Sequence, residues 1–104
     1  MNVVFAGQKV NLSLSVEAEG EVTWVVRGPF LLEYRNIGKD FSITPHNAGV
    51  YLIRAEYATG EGAVVSVHCS QLIIQAIPGD RVEHPDVELV MGEWTTSTPY
   101  PPSM

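Results

Sequence analysis

Period-two alternation of apolar and polar residues dominates the chain. In Val10-Asn11-Leu12-Ser13-Leu14-Ser15-Val16-Glu17 every even position is apolar and every odd one polar, the mark of a strand buried on one face. Glu19-Gly20 turns the chain. Residues 21–27 then place Val22, Trp24 and Val26 on one face before Gly28-Pro29 ends the run. Residues 30–34 read as a shorter strand closed by a turn over 36–40, and Phe41-Ser42-Ile43-Thr44 alternates again up to Pro45. Residues 50–57 align Tyr51, Ile53, Ala55 and Tyr57, and Thr59-Gly60-Glu61-Gly62 signals a hairpin. Residues 63–76 return as a strand with a kink or bulge near Ser70. No stretch through residue 76 carries an apolar stripe at helical spacing, and no internal repeat is visible. Six or seven short strands between frequent turns predict an all-β, antiparallel two-sheet sandwich over residues 1–76.

The pattern changes after Ala76. Residues 77–104 hold five of the seven prolines and five acids against one base, Arg81. Ile77-Pro78-Gly79-Asp80 reads as an exit from the sandwich. Residues 77–94 are expected to be an acidic linker with room for one more strand, in which Val87, Leu89 and Met91 alternate. Residues 95–104 should form an extended Pro-rich C-terminal arm, because proline fixes φ near −65° and offers no N–H.

Composition narrows the classes of function. The chain has 104 residues, enough for one domain with a real core. Twelve acids against six bases give a formal charge of −6, which argues against a nucleic-acid partner, since phosphate binding needs cations. Apolar runs are too short to span a membrane. One cysteine, Cys69, excludes an internal disulfide and a cysteine-rich zinc site. The residues after Met1 show neither a basic n-region nor an apolar stretch of signal-peptide length. With Met1 as the native start, the product is expected to stay in the cytosol or leave by lysis.

The order of three short motifs resembles the immunoglobulin superfamily. Asn47-Ala48-Gly49-Val50-Tyr51-Leu52-Ile53 is similar to the Asp-x-Gly-x-Tyr-x-Cys signature that opens strand F, with Asn for Asp and Ile for Cys. Gly7-Gln8-Lys9-Val10-Asn11-Leu12-Ser13-Leu14 looks like strand B, with Leu14 at the other cysteine position. Trp24 falls ten residues later, where the family keeps a strand-C tryptophan. The resemblance, over residues 3–76, implies an immunoglobulin-like sandwich pinned by Leu14, Trp24 and Ile53 without a disulfide. It also makes Tyr51 a corner tyrosine whose hydroxyl bonds the backbone upstream. Disulfide-free domains of this kind resemble those that decorate the capsids or tails of tailed bacteriophages. By that analogy the chain is expected to be a virion decoration or cement protein, made in the host cytoplasm, with a major capsid or other virion protein as partner and self-association as a further option. The alternative is a glycan- or protein-binding module of a bacterial surface or secreted protein, using Phe30, Tyr34 and Tyr57.

Catalytic chemistry is poorly served. His68 and Cys69 point to opposite faces of a strand and do not converge on a metal. His46 suits a turn residue bonding local backbone. His84, near Asp80, Glu83 and Glu88, lies in a stretch that reads as solvated acidic linker or a weak cation site. No nucleophile elbow, phosphate loop or zinc-helix motif occurs. A non-enzymatic protein without cofactor or metal is therefore expected. Partner binding is assigned to Trp94, Pro99, Tyr100, Pro101 and Pro102, because aromatics anchor interfaces disproportionately. For Trp94 a second reading stands beside this one: its ring folds back on its own sandwich as part of an added strand.

Overall fold

Among the described residues, nine strands account for the alternating segments. The computed structural model describes residues 2–15, 17–31, 33–61 and 64–97. The strands are β1 (Asn2–Phe5), β2 (Val10–Leu14), β3 (Thr23–Arg27), β4 (Glu33–Ile37), β5 (Phe41–Ile43), β6 (Gly49–Glu61), β7 (Val64–Ile77), β8 (Val87–Met91) and β9 (Thr95–Ser97). They form two sheets. One has the order β1-β7-β6-β3-β4, with β9 also on β7; the other is β5-β2-β8.

The apolar faces of the two sheets meet and exclude water. Trp24 and Val26 of β3, Tyr51, Ile53 and Ala55 of β6, Ile74 and Ala76 of β7 and Val4 of β1 are buried on one side. Val10, Leu12 and Met91 are buried opposite them, flanked by half-buried Leu14, Phe41, Ile43, Val87 and Leu89. Trp24 joins the layers: its ring stacks on Phe41 at 5.6 Å, and its Nε1–H donates to the Gly38 carbonyl at 2.8 Å. Burial of the indole and satisfaction of its one polar atom reinforce each other.

The sheets are mixed, where the alternation had suggested antiparallel strands throughout. β1 runs parallel to β7, with Asn2 opposite Ile74, and β2 runs parallel to β8, with Val10 opposite Val87. Alternation fixes which face of a strand is buried but carries no direction. Parallel neighbours must be joined by long crossovers, and both pairs here join segments more than 70 residues apart. β8 lays Val87, Leu89 and Met91 beside Val10, Leu12 and Leu14, so the packed body continues to Met91.

Two local expectations are also corrected. Pro29–Leu31 is a 3-10 turn rather than the start of a strand, and Phe30 sits in the left-handed region at φ 65°. The β6–β7 register is unbroken from Gly49↔Ala76 to Glu61↔Val64, so no bulge interrupts it at Ser70. Gly28 ends β3 for a steric reason. A Cβ there would lie 2.6 Å from Cε2 of Tyr51, so the ring packs directly on backbone.

Candidate interaction surfaces

The segment joining β7 to β8 is pinned at both ends. Asp80 Oδ1 accepts the Val82 N–H at 3.0 Å and lies 2.8 Å from His84 Nε2. Those two contacts, the Val82 amide foremost, hold the Asp80 carboxyl below its usual range. The His84 ring stacks flat on Phe5 at 4.0 Å. Gln8 accepts the Phe5 N–H and donates to the Pro85 carbonyl at 2.8 Å. Val87 N–H then donates to Lys9 O, starting the β2–β8 ladder. What reads in sequence as acidic linker is thus a clasp that delivers β8 to its edge. Asn11 Nδ2 donates to Glu88 Oε1 at 2.8 Å beside it.

Trp94 follows β8 and packs edge-on against Tyr57 at 4.7 Å and 90°. Tyr57 is itself buried and stacked on His68 at 4.6 Å. The His68 Nε2 lies 2.9 Å from Thr59 Oγ1. The Trp94 ring is therefore engaged on its own sandwich. β9, which follows at once, pairs antiparallel with β7, Thr95 opposite Cys69 and Ser97 opposite Val67. Pro99, Tyr100, Pro101 and Pro102 lie outside the described residues, as does the side chain of Tyr34.

Among the residues tied to the sandwich core, Trp24 and Ile53 are fully buried and Leu14 is half-buried. Tyr51 Oη donates to the Asn47 carbonyl at 2.8 Å, closing the turn that leads into β6. Of the aromatics considered for ligand binding, Phe30 is 81% exposed while Tyr57 is internal. His46 is exposed on a loop, and among the described residues no three His, Cys, Asp or Glu side chains gather as a metal site.

Sequence reasoning missed two surfaces. The outer face of β1, β7 and β6 exposes Val3, Ile73 and Val50, with Val3 and Val50 both placed opposite Gln75. The second is a cleft of about 490 Å³ between the free edges of β4 and β5. Its floor is Val26, Phe41, Ile43, Pro45 and the Tyr51 ring, and Arg35, His46 and Asn47 stand at its rim. A signal for the outer face exists in the chain: Val50, Leu52, Ile73 and Val3 are apolar at positions that alternation assigns to solvent. Nothing local signals the cleft, because it depends on which strands end up as edges. Comparison with protein families, with curated proteins and with solved structures finds no match for this chain.

Proposed function

We propose that the chain is a non-enzymatic structural protein, an immunoglobulin-like sandwich that decorates a tailed-bacteriophage shell or tail and attaches through strand edges and its C-terminal arm. Several features support the immunoglobulin-like reading. β3, β6 and β7 stand in the order of strands C, F and G, with β2 and β5 facing them as B and E. Trp24 lies at the centre of the core, and the Tyr51–Asn47 bond has the form of a tyrosine corner. Attachment rests chiefly on one observation: β9 carries the chain to the outer edge of β7, and the Pro-rich segment begins in sequence directly after it. The exposed Val3, Val50 and Ile73 add an apolar face of the kind that marks contact surfaces. The virion itself enters by analogy with disulfide-free domains of this architecture.

Removing residues 98–104 is expected to weaken binding to undecorated particles while the thermal transition of the sandwich stays in place. Unchanged binding by the shortened protein would reject the arm's role. Recovery of the chain by mass spectrometry of purified virions tests the location. One observation favours the surface-module alternative, the solvent-exposed ring of Phe30 held at positive φ. A glycan array on which wild-type protein and Phe30→Ala give the same blank result would remove it.

A further inference from the structure

The open cleft and β9, the last described strand before the Pro-rich segment, lie on opposite sides of the molecule. β9 is on the outer edge of β7, while the cleft lies beyond β3, between β4 and β5. The register gives the separation. Ser97 is opposite Val67, which is opposite Ala58 on β6. Tyr51 on β6 is thus two strands across and seven residues along, about 25 Å from Ser97 at ordinary strand spacings. Val26, opposite Ile53, is three strands across and five residues along, about 22 Å away. Tyr100 follows Ser97 by three residues and reaches about 10 Å at full extension; Pro102 reaches about 17 Å. The straight path also runs through the sandwich. These four residues do not reach the cleft of their own chain.

The chemistry of the two surfaces is complementary. Thr98-Pro99-Tyr100-Pro101-Pro102 lacks an N–H at three of five positions, so its backbone mainly accepts hydrogen bonds, and four of its five side chains are rings. Pro-rich segments of this kind dock in aromatic-lined grooves. The cleft offers the half-buried Phe41 ring backed by the buried Tyr51 and Pro45 rings, with Arg35 and Asn47 as donors at the rim. Its volume is within the range of about 300–1,000 Å³ typical of clefts that enclose a small ligand.

We infer that Pro99, Tyr100, Pro101 and Pro102 of one copy seat in the β4–β5 cleft of a second copy, with Tyr100 as the anchor. The inference rests on the attachment role given to the arm and names what the arm grips. Donor and acceptor are different surfaces, so the contact either propagates head-to-tail to a ring or a filament or closes as a two-fold dimer by reciprocal exchange of the two arms.

Sedimentation of the full-length protein over a concentration series tests this. The weight-average mass rises with concentration in the wild type, and Tyr100→Ala lowers the association constant by about 30-fold, as loss of a buried aromatic anchor does. A synthetic peptide of residues 95–104 is titrated into full-length Tyr100→Ala. It shifts the amide resonances of Phe41, Ile43, His46 and Tyr51. A wild type that stays monomeric throughout, equal association by Tyr100→Ala, or peptide shifts away from the cleft would each overturn the inference. Binding to undecorated particles is read separately. A strictly monomeric protein that still binds particles overturns this contact and leaves attachment standing, whereas self-association without particle binding does the reverse.

Discussion

Trp24 performs at one position what a disulfide performs in many two-sheet domains. It spans the layers through Phe41 and satisfies its own N–H at Gly38. Trp24→Ala removes a buried aromatic worth about 3–5 kcal/mol, a large share of the stability of a small domain. Loss of the cooperative thermal transition is the expected result. Tyr51→Phe keeps the ring and deletes only the bond to Asn47, so urea denaturation should show a loss of about 1 kcal/mol. Gly28→Ala sets a methyl against the Tyr51 ring and is expected to cost about 1–3 kcal/mol by overpacking. Asp80 adds a pH dependence. Its carboxyl is held low by the Val82 amide and His84, so its contribution is present above the ordinary carboxylate pKa. That contribution is lost as pH falls through the lowered folded value. Asp80→Asn should flatten the acid limb of a stability-against-pH curve.

At the level of elements, β8 is the strand whose importance the chain conceals. Its alternation at Val87, Leu89 and Met91 is readable, yet prolines and acids surround it, and those signal a linker. Its place depends on Asp80, His84, Gln8 and Lys9 acting together across more than 70 residues, which no local window captures. β2, β3 and β6, whose alternation is long and clean, lie where the pattern implies. Direction and edge position escaped for a different reason: they belong to pairs of strands, not to any one strand. The cleft was invisible on the same ground, while the aromatic and proline content of the C-terminal segment was legible at once. Met91→Ala tests the role of β8. It empties a buried site against the core and is expected to lower the stability by about 2–3 kcal/mol in equilibrium unfolding, a cost that an appended linker would not show.

For the whole molecule, the arrangement of edges matters more than the choice of any one side chain. β7 receives β1 and β9 along one side, and β4 and β5 leave the other side open. With β9 on one edge and the open cleft on the other, the molecule has a built-in polarity, which under the proposed decoration role would suit repeated placement on a shell. Modest contacts then gain strength through the number of copies held together.

The β6–β7 hairpin outruns its neighbours. β3 begins opposite Glu56 and β9 reaches Val67, opposite Ala58, whereas β6 continues to Glu61, so a two-stranded prong stands about 10 Å proud of the body. Guest peptides spliced between Glu61 and Val64 would be held aloft from the core, making this prong a natural mast for an epitope or a fluorophore, with the melting point of the base as the gauge of how little the graft disturbs it.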